Sequence, residues 1–217
     1  MNIENAIEEL EQFSTSKLTK RISDIEGDLH NCSSAEIKSH LGQINASSLA
    51  LTAAETVKRL SAQIDVKIHA LGILRCLPHI LEDDEVVQSV SLGAGNTGRH
   101  FDLETNLRIA EFKFIGWRGG SEAIRQNGIF KDFYQLAEHT SNKEKFLYLL
   151  NIDIPLKFFN GGRSIASVLG SQSSLLDELK SKYPKVEVVR DYFRLKVDEV
   201  KLANVSDWLP ELQAPKQ

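Results

Sequence analysis

The hydrophobic period of this chain changes near residue 81, and that change decides what it can fold into. Before it, apolar residues recur at helical spacing. Ile3, Ile7, Leu10 and Phe13 fall at i, i+4, i+7 and i+10, and Leu18, Ile22 and Ile25 extend the pattern. Ser33 or Ser34, followed by Glu36, reads as a helix start. A longer helix is expected over residues 47–80, with Leu51, Ala54, Val57, Leu60 and Ile64 on one stripe. From residue 86 the pattern becomes strand-like. Strands are expected over residues 86–92, 100–104 and 107–115, the last two joined at Thr105-Asn106. Ser121 is a candidate cap for a helix to about His139, with Ala123, Phe130, Phe133, Tyr134 and Ala137 inward. Residues 146–152 read as a buried strand, 161–169 and 173–183 as short helices, and 185–192 and 194–202 as two more strands. A frayed tail is expected from Pro210. The order helix, three strands, helix, strand defines an α/β domain with a mixed sheet and an N-terminal helical extension.

Charge follows the same division. Residues 1–85 hold 8 Lys/Arg against 14 Asp/Glu, whereas residues 86–217 hold 18 against 16. The whole chain of 217 residues carries a net charge of −4, so any nucleic-acid contact is expected to be local rather than a basic coat. Cys32 and Cys76 form no close motif, which argues against a disulfide scaffold or a structural zinc cluster. The first residues carry acid where a signal peptide needs base, and the longest apolar run, residues 70–81, is broken by Arg75 and Pro78. A cytoplasmic protein with no membrane partner is the expectation. The segments are residues 1–64 as a helical arm, 65–209 as the α/β domain and 210–217 as a tail.

The chemistry concentrates in residues 101–115. Glu111 and Lys113 interrupt an otherwise apolar strand and, two residues apart, share one face while Phe112 points to the other. Closing the hairpin at Thr105-Asn106 sets Glu104 against Leu107, Asp102 against Ile109 and His100 against Glu111. Asp102 and Glu111 then become diagonal neighbours, with Cβ atoms roughly 7 Å apart. Two carboxylates at that reach can share a Mg²⁺ (or Mn²⁺) ion, which needs only one or two carboxylates and completes its shell with water and phosphate. Lys113 reaches the same space, where an ammonium can hold the attacking water and stabilise charge on phosphate oxygens.

These residues resemble the PD-(D/E)xK phosphodiesterase superfamily, the restriction-endonuclease-like nucleases. The match runs over roughly residues 65–152. The resemblance implies a restriction-endonuclease-like core, a mixed central sheet flanked by helices. It makes Asp102 the first metal-binding acid, Glu111 the second, and Lys113 the catalytic lysine, with the carbonyl of Phe112 also on the metal. Phe101 stands where a proline is frequent in that motif. Gln126 resembles the helix glutamine of the exonuclease branch, with Phe130 where that branch has tyrosine. The implied activity is a divalent-metal-dependent nuclease, most naturally an endonuclease on DNA, with restriction or phage defence as a fitting role.

Around this core, Arg118, Arg125, Lys131 and Arg163 are candidate contacts to the phosphodiester backbone. Trp117, in a Gly-flanked loop, is a candidate base-stacking platform. Glu104 is a possible alternate ligand, and Glu55, Glu82 or Glu85 could supply an extra acid ahead of the first strand. The N-terminal helices are the candidate surface for a homodimer. Residues 93–98 match G-x-G-x-x-G after an apolar strand, but a dinucleotide site needs a helix directly afterwards, and a strand is expected there. The rival readings are a non-catalytic nucleic-acid-binding or regulatory protein on the same fold, and a nucleotide-binding enzyme built on the glycine turn.

Overall fold

The computed structural model describes residues 1–13, 18–43, 47–93, 100–114 and 122–213. They form two compact units, Met1–Asp65 and Val66–Gln217. The first contains α1 (Ile3–Phe13), α2 (Leu18–Leu29), α3 (Ser34–Gln43) and α4 (Ser48–Ser61). Ser33 and Glu36 form the expected capping box. The Ser33 Oγ accepts the amide of Glu36, while Glu36 Oε2 accepts the Ser33 amide at 2.7 Å. Ser47 caps α4, its Oγ accepting the Ala50 amide at 2.9 Å.

The inward face of α4 is not the one expected. Ala50, Ala53 and Thr56 are buried, whereas Leu51 is 74% exposed. Helix α1 packs on α4, and Ala6 of α1 is fully buried as well. Small residues allow close helix approach, so the alanine row wins over the leucine row beside it. The expected single helix over residues 47–80 is two helices, because α4 ends at Ser61 and α5 (Ile64–Ile80) starts after a turn.

The second unit is an α/β fold around an open five-stranded mixed sheet in the order β1-β2-β3-β4-β5. The strands are β1 (Val87–Val90), β2 (Leu103–Thr105), β3 (Arg108–Lys113), β4 (Glu144–Leu149) and β5 (Lys201–Asn204). The first three run as an antiparallel meander, and β3, β4 and β5 are parallel. Helix α6 (Ala123–Glu138) connects β3 to β4, as a parallel pair requires. Helices α7 (Asp153–Phe159), α8 (Ile165–Val168), α9 (Ser173–Lys182) and α10 (Val189–Lys196) separate β4 from β5.

Side chains alternate along β3 and feed two cores. Ile109 joins Ile129, Phe130 and Phe133 of α6 and the aromatic residues of α7 and α10. Ala110, Phe112 and Phe114 join Ile73, Cys76 and Ile80 of α5. The interior of the sheet is therefore covered on both sides, and the charged pair Glu111 and Lys113 follows Ile109 onto one face.

Four expectations need correction. Residues 185–192 are not a strand: Val189, Tyr192 and Phe193 are buried at helical spacing on α10, and of residues 194–202 only Lys201 and Leu202 are strand, at the start of β5. The β-branched and aromatic composition imitates a strand, but a charge falls between the apolar positions at period three to four. Helix α7 was not expected; it begins right after β4, with Pro155 in its first turn, where a missing amide hydrogen costs nothing. Ala123 is exposed rather than inward. The chain at 210–213 is docked as a 3₁₀ turn, with Leu209 buried and Gln213 donating to the Ser206 carbonyl at 2.7 Å. Ser121 and residues 214–217 lie outside the described residues. Among the described residues, no helix is long and apolar enough to cross a membrane.

Gly72 fixes how closely α5 lies on the sheet. A Cβ built there would stand 2.6 Å from the buried Phe114 ring. Overpacking of this kind costs about 1–3 kcal/mol, more than the ~1 kcal/mol that alanine gains over glycine in a helix. Gly72→Ala is therefore expected to lower the midpoint of urea unfolding. An unchanged or raised midpoint would show that Phe114 can move aside.

Candidate active site

The β2–β3 turn sets the site's register. Thr105 Oγ1 accepts the amides of Leu107 at 3.0 Å and Arg108 at 2.8 Å, so the side chain closes the turn. Asn106 bridges back, accepting the Val86 amide at 2.7 Å. Glu104 consequently faces Ile109, and Leu103 faces Ala110. This is a slip of two residues from the expected pairing, in which Asp102 opposed Ile109 and His100 opposed Glu111. A shift of two keeps every side chain on its face. Continued by one pair, the observed register sets Asp102 opposite Glu111.

Asp102 sits in a bend just before β2 and is held from two sides. Its Oδ1 lies 3.2 Å from His69 Nε2 on α5, and its Oδ2 accepts the Phe112 amide at 3.0 Å. Burial pushes its carboxyl up, but the His69 hydrogen bond, that ring's charge and the Phe112 amide outweigh it, leaving the acid below its ordinary range. Glu111 goes the opposite way. Burial, then the charges of Asp132 and Asp102, push it up to about 9, against a smaller opposing pull from Lys113. Lys113 Nζ lies 3.8 Å from Glu111 Oε2 and 2.7 Å from Asp132 Oδ2 on α6. Burial alone would lower its pKa, but Asp132 and Glu111 hold it above the ordinary value. The lysine therefore stays an ammonium, a group that can donate hydrogen bonds and carries no free lone pair to act as a base.

Two members of this cluster, His69 and Asp132, were not singled out in the sequence. Asp132 is a lone acid on the inward face of α6 between Phe130 and Phe133, an irregularity the periodicity could have exposed. His69 lies one turn before Gly72 on the α5 face that meets the sheet, and only the packing of α5 reveals its partner.

The other candidates have partners or positions of their own. Gln126 accepts from Arg163 Nη1 at 2.5 Å, and Arg163 also reaches Ser167, so these two side chains hold each other. Arg125 pairs with Glu122 at 2.9 Å. Lys131 is half-buried on α6, and His100 is exposed. Glu104 pairs with Lys143 at 2.7 Å. Glu82 and Glu85 both bind Arg108, which places them in the support of the turn rather than beside Asp102. Glu55 lies on α4, in the first unit. Arg118, Trp117 and residues 94–98 of the glycine run lie outside the described residues. Residues 100–102 bend directly into β2, so no helix starts there to receive a pyrophosphate.

Among the described residues, no three His, Cys, Asp or Glu side chains gather as a ready metal-ligand set. The charge of the site nevertheless suits a hard divalent ion. Three carboxylates, Asp102, Glu111 and the buried Asp132, surround one ammonium, and burial followed by the charges of Asp132 and Asp102 keeps on Glu111 a proton that a cation could replace. Asp102, Glu111 and the Phe112 carbonyl are the oxygen donors that would hold such an ion, and water can fill the rest of its shell. The chain matches no family model, no curated protein and no solved structure.

Proposed function

We propose that the second unit is a divalent-metal-dependent nuclease of the PD-(D/E)xK class, with a restriction-endonuclease-like core, and that its substrate is DNA. The observation that carries this reading is the meeting of Asp102, Glu111 and Lys113 at the C-terminal end of β3, in a half-buried cluster where carboxylates outnumber the one ammonium. The element order around the site, from α5 through the three-strand meander to α6 and the parallel β4, supports the same class.

Each residue has a separable task. Asp102 is the acid already ionised and oriented, because His69 and the Phe112 amide fix both its oxygens. Glu111 is the acid that must give up its proton before it can bind a cation. Lys113 donates hydrogen bonds to the attacking water or to a phosphate oxygen, where a fixed positive charge favours the pentavalent transition state. A bound Mg²⁺ or Mn²⁺ lowers the pKa of its water and neutralises charge on the phosphate.

Cleavage of supercoiled, linear and single-stranded DNA with Mg²⁺ or Mn²⁺ tests this directly. Wild type is expected to cut only with metal, and Lys113→Ala and Asp102→Ala are each expected to lose activity by about 10²-fold or more. Equal cutting by all three proteins would mean a contaminant and would sink the assignment. DNA bound but uncut by wild type with either metal would favour the non-catalytic binding reading.

A further inference from the structure

We propose that Asp132 is the positioning carboxylate of this site: it holds the Lys113 ammonium in place so that Glu111 is free for the cation. The proposal rests on the nuclease reading above and adds a residue to it.

Lys113 has a long flexible stem, and an ammonium offers three donors with no preferred direction. Something must fix it. Two carboxylates are within reach: Glu111 Oε2 at 3.8 Å and Asp132 Oδ2 at 2.7 Å. Glu111 cannot serve as the anchor if its oxygens bind a metal. Asp132 can, because it comes from a different element and approaches from α6.

The surroundings of Asp132 make the pairing more than a surface accident. It is 9% exposed and lies on a face whose other buried residues are Ile129, Phe130, Phe133, Tyr134, Leu136 and Ala137. A carboxylate among such neighbours is costly without a partner. A buried ion pair is, on balance, no better for folding than an apolar pair of the same shape. The Asp132–Lys113 pair therefore gains little as a folding device. It gains a defined lysine position, on a helix clamped to the sheet by the aromatic core on the same face.

The test uses the full chain and two readouts. The first is labelling of Lys113 by an amine-reactive ester in metal-free protein, read by peptide mass against the exposed Lys180. The second is steady-state DNA cleavage at saturating Mn²⁺. Asp132→Asn keeps the shape and is expected to raise Lys113 labelling several-fold. It should lower kcat by about 10–100-fold with KM and the Mn²⁺ half-saturation changed little, as expected when a supporting partner is lost. Asp132→Glu should recover part of both. Unchanged labelling in the asparagine variant overturns the proposal. So does a loss that appears only in Mn²⁺ half-saturation, since Asp132 would then be a ligand. A wild type that neither binds Mn²⁺ nor cuts overturns the nuclease reading instead, and the labelling result still decides whether Asp132 holds the lysine.

Discussion

Arg108→Ala is expected to remove about 3–5 kcal/mol of stability, because it strands a buried carboxylate without a counter-charge. Arg108 is 5% exposed, and its Nε and Nη2 bind the two oxygens of Glu85 at 2.5 Å each. The Glu85 side chain is fully buried. Nη1 donates to the Tyr148 hydroxyl at 3.0 Å, and the guanidinium lies 5.0 Å from the centre of the Phe146 ring. Burial pushes the Glu85 carboxyl up, yet Arg108 and the Thr105 hydroxyl bring it below its ordinary range. Alanine would leave that carboxylate with the Thr105 hydroxyl and the Glu82 amide alone. At about 2–4 °C per kcal/mol for a chain of this size, the melting temperature should fall by roughly 10 °C. The double variant Arg108→Met with Glu85→Gln should recover part of the loss, since no charge is then stranded. A loss under about 1 kcal/mol in the single variant, measured by urea unfolding, would show that water reaches Glu85.

The same cluster explains how much of the site could be read from sequence. The Glu-x-Lys pair within an apolar strand was legible, because alternation along a strand is local. So was the shared face of Asp102 and Glu111, since parity survives any even slip. The pairing itself was misjudged by two residues. The turn is chosen by the Thr105 hydroxyl and by Glu85 drawing Arg108 inward, and the second of these is a contact across 23 positions. His69 and Asp132 depend on how α5 and α6 settle on opposite faces of the sheet, which no local pattern states. Helix α10 was misread for a related reason: Val188, Val189, Tyr192 and Phe193 have strand composition, and only the burial of the last three at helical spacing gives the helix away. Period outranks propensity where the two disagree.

Glu111→Gln is expected to do two opposite things, stabilising the metal-free protein at alkaline pH while removing its response to Mn²⁺. With its pKa up at about 9 against an ordinary 4.5, Glu111 keeps its proton in the fold long after the unfolded chain has lost it. Between those two values the folded state binds the extra proton, so stability falls as pH rises, by up to about 1.4 kcal/mol per pH unit for one whole proton. Asp102 acts outside this window. Its lowered pKa supplies stability that is present above its ordinary 3.8 and lost only as pH falls through the folded value. Thermal unfolding of metal-free wild type should therefore show a melting temperature that declines from pH 6 to pH 8, and the glutamine variant should be nearly flat. Mn²⁺ reverses the trend in wild type by taking the place of the Glu111 proton, so its binding should tighten with pH and release a proton. At 100 times its dissociation constant the ion adds about 2.7 kcal/mol, or roughly 5–10 °C, and the variant should gain almost none of it. Equal pH slopes in the two proteins would mean that Glu111 is not the titrating group. A slope that vanishes in the variant, with no Mn²⁺ response in wild type, would make Asp102, Glu111 and Asp132 an acid cluster of the fold with no cation to relieve it.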